Sequence, residues 1–214
     1  MYSAPIRRGS RAPTAMKTSI AILAKAPVPG FAKTRLIPVI GAHAAAVLQE
    51  RMTEQTVLSA VAAGIGAVTL WCAPDPSHPS FLNLARRFSI SLKRQPEGDL
   101  GARMLAAFAG PTLVIGSDCP ALTPQHLRAA SDALKESDVV LIPAEDGGYV
   151  LIGTRTPQPG IFAGIAWGAD TVMAETRNRI SALGLKAAEL PPLWDVDAES
   201  DLARMERELP ALAL

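Results

Sequence analysis

Cysteine is scarce in this 214-residue chain. Cys72 and Cys119 are its only two, both in apolar or strand-end surroundings. That excludes a disulfide framework and fits buried thiols in a reducing compartment. Histidine is nearly as rare, and His43, His78 and His126 are too scattered for metal-ligand spacing. Without a paired histidine, Cys119 reads as a small buried residue rather than a nucleophile. No apolar run approaches the roughly 20 residues of a membrane helix. Residues 1–17 lack the apolar stretch of a signal peptide, so a cytoplasmic protein is expected. A large charge of one sign is also missing, the formal net charge being +1. Four of the 21 basic residues (Arg7, Arg8, Arg11, Lys17) fall within the first seventeen positions, which contain no acid. The rest of the chain sets 17 basic against 20 acidic residues, which argues against a broad nucleic-acid surface. Internal repeats and linkers are absent, so residues 18–214 read as one domain behind a basic tail, residues 1–17, expected to be disordered.

Against that bland background one stretch stands out. Ile20–Leu23 is a continuous apolar run of the kind found in a strand buried on both faces. It breaks into Lys25-Ala-Pro-Val-Pro-Gly30 and then Lys33-Thr-Arg35. Pro27, Pro29 and Gly30 stop the strand and set a rigid turn. A basic turn at the carboxyl end of a strand suits a polyphosphate, and Lys25, Gly30, Lys33 and Arg35 are the candidates to hold it.

Helical and extended patterns alternate from there. A helix is expected over Gly41–Ala63, its apolar stripe formed by Ala44, Val47, Leu48, Met52, Leu58 and Val61, with Gly64 as its stop. Ala67–Ala73, Ser89–Lys93, Thr112–Ser117, Asp138–Ala144, Tyr149–Gly153 and Lys186–Leu190 read as strands, the fifth possibly antiparallel. Helices are expected near Ser80–Phe88, after the Gly-bearing loop Gln95–Gly101, and over 124–135 behind Thr123-Pro124. Two more follow Asp170, as a cap, and Asp197, the last with Leu202, Met205 and Leu209 as its buried stripe. This alternation predicts an α/β/α sandwich around a mostly parallel sheet.

Three acidic segments carry the chemistry. Asp118 directly follows a buried strand and is held by Pro120, so its carboxylate projects at the sheet's carboxyl edge. Asp195 and Asp197 precede the last helix and can reach the same edge, although Asp197 also suits an N-cap and Asp195 a turn. Carboxylates beside a phosphate-binding turn are what Mg²⁺ requires, since it takes its remaining oxygens from water and phosphate. Asp146-Gly147-Gly148-Tyr149 offers close backbone approach, a flat amphipathic wall and one more acid, or simply a β-turn. The three tryptophans, Trp71, Trp167 and Trp194, read as core or pocket wall.

Six segments in order, KAPVPGFAKTRL, QPEGDLGARM, IGSDCPAL, PAEDGGYVLIG, WGADTVM and DVDAESDL, resemble the small GT-A-type glycosyltransferases associated with radical-SAM/selenodomain proteins and arsenosugar biosynthesis. More distantly, the layout is similar to molybdenum-cofactor and phospholactate guanylyltransferases and to sugar-nucleotide pyrophosphorylases. The resemblance implies a single nucleotide-diphospho-sugar transferase fold. It places Lys33 and Arg35 on the phosphates and Gln95, Gly98 and Gly101 near the base. Asp118 and Asp197 become the ligands of Mg²⁺ or Mn²⁺, and Asp146, Gly147, Gly148 and Tyr149 line the acceptor pocket. Asp118, Lys33 and Asp146 are the implied catalytic residues. The chain departs from the family pattern at Ala169, Ala198 and Ser117-Asp118, where many glycosyltransferases carry two acids.

The expected activity is transfer of a glycosyl group from a metal-bound nucleotide sugar to a small acceptor. Nucleotidyl transfer from an NTP to a phosphorylated small molecule, with release of pyrophosphate, is the alternative. A non-catalytic nucleotide-binding module is a third reading.

Overall fold

Along β1 (Ser19–Lys25) successive residues are buried on opposite sides. Ile20, Ile22 and Ala24 join one core cluster, while Ala21 joins another and Leu23 packs against it. The same alternation holds in β2 (Val68–Ala73), β4 (Thr112–Ile115) and β5 (Val139–Pro143). Period-two burial on both faces requires a helical layer on each side, and the computed structural model, which describes residues 17–212, has this arrangement. The expected tail, residues 1–17, lies outside the described residues apart from Lys17.

One layer is α1 (Ile37–Ala63), α2 (Pro79–Phe88) and α4 (Pro124–Glu136), which contribute Val57, Phe81 and Leu127 to the first cluster. The other is α3 (Leu100–Leu105), α5 (Pro159–Phe162) and α6 (Val172–Ala182), which contribute Met104, Phe162 and Ile180 to the second. With β3 (Ser91–Arg94), β6 (Tyr149–Thr154) and β7 (Ala187–Glu189) the sheet runs β3-β2-β1-β4-β6-β5-β7. Only β6 is antiparallel to its neighbours. The chain runs outward from β1 to β2 and β3, then returns to β4 on the other side of β1. The β1–β4 boundary is therefore the topological switch point, beyond whose carboxyl ends ligands bind in open α/β sheets. A third cluster packs Trp194, Val196, Leu202 and Met205 against Leu36, Leu48 and Met52. It fastens the last helix, α7 (Glu199–Glu208), over that same edge.

Several expected boundaries move for identifiable reasons. Helix α1 begins at Ile37, with Pro38 in its first turn, and breaks helical geometry at Gly41 (φ 80°, ψ 159°). Its buried face is the expected one only in part: Leu48 and Met52 are fully buried, but Leu58 and Val61 are 40% and 39% exposed, and Gln49, Thr53 and Thr56 are buried instead. These polar side chains satisfy one another and the helix backbone, Thr53 Oγ1 donating to Gln49 O at 2.8 Å and Thr56 Oγ1 to Met52 O at 2.9 Å. Asp170 does not cap α6, whose N-cap is Thr171. The Thr123 cap is present: its hydroxyl accepts from His126 N, and His126 Nδ1 accepts from Thr123 N.

Candidate active site

A cleft of about 800 Å³ opens over the carboxyl ends of β1 and β4. Its floor is set by the turn after β1. Phe31 N and Ala32 N both donate to Val28 O, at 3.0 and 3.1 Å, with Gly30 at φ +87° completing the turn. Lys33 follows in the left-handed region (φ 45°), a conformation that costs a non-glycine residue roughly 1 kcal/mol. From there its ammonium reaches across 163 residues of sequence to donate to Val196 O at 2.6 Å. It also donates to Asp197 Oδ1 at 2.9 Å and lies 3.6 Å from Asp118 Oδ2. The Lys33 side chain is only 7% exposed. Burial alone would lower its pKa, but Asp118, Asp197 and Asp195 together hold it above the usual lysine value. Arg35, on the solvent side, donates to the other Asp197 oxygen, Oδ2, at 3.2 Å.

Asp118 is positioned from two directions. Its carbonyl accepts from Val196 N at 3.0 Å. Its neighbour Ser117 accepts from Gln49 Nε2 at 3.0 Å, so the buried polar face of α1 braces the end of β4. Because Val196 is fully buried, its neighbours Asp195 and Asp197 face the other way and line the cleft. Asp195 is the most perturbed acid there. Burial, then the like charges of Asp118, Asp146 and Asp197, push its carboxyl up to about 7. Asp146 belongs to the turn into β6, where its Oδ1 accepts from Gly148 N at 2.9 Å. Tyr149 forms the next part of the wall, its hydroxyl 3.8 Å from Met104 Sδ, and burial raises its pKa.

Of the residues singled out in the sequence, Lys25, Lys33, Arg35, Gln95, Asp118, Asp146, Gly148, Tyr149 and Asp197 line this one cleft. Gly30, Gly98, Gly101 and Gly147 do not, and three of them serve the chain itself. A Cβ on Gly101 would lie 2.6 Å from the Trp167 ring, and one on Gly147 2.1 Å from Asp170 O. Gly98 accepts from Arg103 Nε at 3.0 Å. Gln95 is likewise committed: its Nε2 donates to Ala24 O at 3.2 Å and Trp71 O at 2.9 Å, tying together the ends of β1 and β2. Both oxygens of Asp197 are taken by cations, which makes it the counter-ion of Lys33 and Arg35. Trp167 lines the cleft, as its reading as core or pocket wall allows, and Gln49 and Arg103 line it without a sequence signal of their own. Gln49 gave no sequence signal, because a glutamine in a helix pattern reads as solvent-facing. Arg103 sits within the QPEGDLGARM segment, where the glycines drew the attention.

Asp118 and Asp195 offer hard oxygens to a cation. Among the described residues no three acidic, histidine or cysteine side chains are disposed to enclose a metal ion. An ion held by two carboxylates would have to complete its shell with water and substrate oxygens, as Mg²⁺ does. The donor set does not fit a closed structural site. Among the described residues no helix is long and apolar enough to cross a membrane.

The chain is similar to proteins that handle nucleotides. It is 28% identical over 128 residues to 2-phospho-L-lactate guanylyltransferase from Methanosarcina mazei, a match covering 59% of this chain and 58% of the relative. The matched part thus spans little more than half the length of that curated relative. A Desulfovibrio desulfuricans G20 protein provisionally named a nucleotide-diphospho-sugar transferase has the same fold over 90% of this chain and 88% of its own, with a TM-score of 0.79 and 27% identity. Rv0371c from Mycobacterium tuberculosis H37Rv shares the fold at a TM-score of 0.53 and 17% identity, over 91% of this chain and all of its own. It has also been solved in complex with manganese. Residues 56–169 match the family described as an uncharacterized protein conserved in bacteria (DUF2064), and the chain belongs to that family.

Proposed function

We propose that the protein is a divalent-metal-dependent nucleotidyltransferase, joining a nucleoside triphosphate to a small acidic or phosphorylated acceptor with release of pyrophosphate. The observation that carries this reading is the convergence of Asp118, Asp195, Lys33 and Arg35 on one cleft at the switch point of the sheet. Similarity to a guanylyltransferase supports nucleotidyl chemistry in particular. Glycosyl transfer from a nucleotide sugar, which the resemblance to arsenosugar-type transferases favours, is the second reading. It is supported by the longer match to the protein provisionally named a nucleotide-diphospho-sugar transferase.

The residues present fit a Mg²⁺ or Mn²⁺ ion held by Asp118 and Asp195, with Asp197 fixing the two cations beside them. Such an ion neutralises charge on the transferring phosphate and on the leaving pyrophosphate. The chain's own part is electrostatic positioning. Lys33 pairs with the Asp118 carboxylate, and the Gln49–Ser117 contact braces the strand end that carries it. Lys25 and Arg35 line the side of the cleft where a triphosphate would lie. Asp146, fixed by Gly148 N, and Tyr149 shape the acceptor side.

The test supplies each NTP with Mg²⁺ or Mn²⁺ and a panel of phosphorylated hydroxy acids and sugar phosphates. Enzyme-dependent pyrophosphate release is expected, and Asp118→Asn should reduce it by about 10²–10³-fold, the scale of losing a principal electrostatic group. Release of an NDP from nucleotide sugars, with no pyrophosphate from any NTP, would instead establish the second reading.

A further inference from the structure

Four cations line the cleft, and the fold answers only two of them. Lys33 is matched by Asp197 and Asp118, and Arg35 by Asp197. Arg103 is different. Its Nε donates to Gly98 O at 3.0 Å, which fixes the guanidinium plane. Its Nη groups have no carboxylate partner among the described residues. The acids beside it in sequence are already engaged: Asp99 Oδ1 accepts from Ala102 N at 2.8 Å, and Glu97 lies 3.6 Å from Arg94. By contrast, Arg35, the other arginine lining the cleft, faces Asp197 at 3.2 Å.

The backbone around Arg103 is fixed as well. Gly98 presents its carbonyl from φ +118°, a conformation favouring glycine. The following residue, Met104, is 5% exposed in the core, and the Trp167 ring packs closely against Gly101, two residues before Arg103. Just upstream, Gln95 bonds to Ala24 O, next to Lys25, so the second unanswered cation stands on the same floor. A guanidinium anchored through Nε and free at both Nη groups presents a planar fork of N–H donors, which matches two oxygens of a phosphate.

We infer that Arg103 is a phosphate-binding residue of this cleft, gripping a phosphate of the substrate through its free Nη edge. The assignment rests on the nucleotide reading only for which molecule carries that phosphate. Titration calorimetry with inorganic pyrophosphate, on wild type, Arg103→Met and Arg103→Lys, tests it without presuming a nucleotide. Arg103→Met should weaken pyrophosphate binding about tenfold to a hundredfold, the range of charge-assisted hydrogen bonds. Arg103→Lys should fall between, with the melting temperature of both variants unchanged.

Two further series locate the phosphate. A loss that grows from nucleoside monophosphate to triphosphate assigns it to the nucleotide. A loss confined to phosphoglycerate, used as a phosphorylated hydroxy-acid probe, assigns it to the acceptor. Unchanged pyrophosphate affinity in Arg103→Met, an equal loss for an uncharged nucleoside, or no pyrophosphate binding by the wild type overturns the inference. Wild-type protein that binds pyrophosphate but no nucleotide would sink the proposed function and leave Arg103 standing.

Discussion

Lys33 Nζ lies 2.9 Å from Asp197 Oδ1, joining the turn after the first strand to the segment before the last helix. The pair sits beside the core cluster formed by Leu36, Trp194 and Val196, so it closes one end of the fold as well as organising the cleft. Removing one member of a largely buried pair leaves the other uncompensated. Lys33→Met should therefore cost about 2–4 kcal/mol in urea unfolding. Asp197→Asn should cost less, because Lys33 keeps Asp118 and Val196 O beside it and the amide oxygen can still accept from the ammonium. The double variant should recover part of the sum, giving a coupling of about 1 kcal/mol or more in a double-mutant cycle. Because the Lys33 pKa is raised, its contribution should persist across neutral pH and fade only above the ordinary lysine value of 10.5. Strictly additive variants would show that the two side chains do not stabilise each other.

Asp195 is the opposite case in that its charged form costs stability, although the pH dependence has the same direction. Its carboxyl titrates near 3.8 when unperturbed and near 7 in the fold. Between those values the native protein holds a proton that the unfolded chain has lost, so stability falls as pH rises from about 4 to about 7 and levels off above. Asp195→Asn removes that penalty. At pH 8 the variant should melt higher than wild type by a few degrees, corresponding to about 1–2 kcal/mol after discounting for the group's partial solvent contact. At pH 4 the two should nearly coincide. Mg²⁺ should raise the melting temperature of the wild type more than that of the variant. A shift of equal size at both pH values would mean that the carboxyl is not perturbed.

Much of this organisation was legible in the chain, for physical reasons that also mark where legibility stopped. Strands such as Ile20–Leu23 and Thr112–Ser117 announce themselves by continuous apolar character, because a parallel sheet covered on both faces leaves no polar side. The antiparallel β6 agrees with reading Asp146-Gly147-Gly148 as a turn between two strands. The buried face of α1 was misread because Gln49, Thr53 and Thr56 look solvent-facing until their partners are known, and Ser117 is 68 positions away. Of the glycines, Gly148 lines the cleft, while others are used by the chain itself. Positive φ and close approach were there to infer, but Gly147 approaches Asp170 and Gly101 approaches Trp167, not a ligand. Asp195 and Asp197 were both visible as acids. Which one would be taken by cations depended on Lys33 and Arg35, more than 160 residues upstream.

The two thiols should be inert. Cys72 is fully buried and Cys119 is 4% exposed, and burial, reinforced by nearby aspartates, pushes both up to about 12. At pH 8 the thiolate fraction is then about 10⁻⁴, too small for nucleophilic work. Native protein should not react with a disulfide-exchange reagent on the timescale of minutes, and guanidinium unfolding should release two thiols at once. Rapid labelling of one thiol in the folded protein, with loss of nucleotide binding, would revive Cys119 as a functional group.

Gly147 is where the wall of the cleft that carries Asp146 depends on a missing side chain. Its φ is +95°, and an added Cβ would lie 2.1 Å from Asp170 O, a backbone atom that cannot swing away. Gly147 O also accepts from Met173 N at 2.8 Å, so the Asp146 turn and the start of α6 are locked together. Gly184, at φ +65° with nothing within 4 Å, isolates the conformational term alone. Gly184→Ala should cost about 1 kcal/mol, the price of a left-handed alanine. Gly147→Ala adds a steric overlap that only backbone movement relieves, and should cost about 3 kcal/mol or more. It should also displace Asp146 and lower the transferase rate, which Gly184→Ala should leave unchanged. Comparable losses in denaturant melts of the two variants would show that the contact with Asp170 is not what holds this wall.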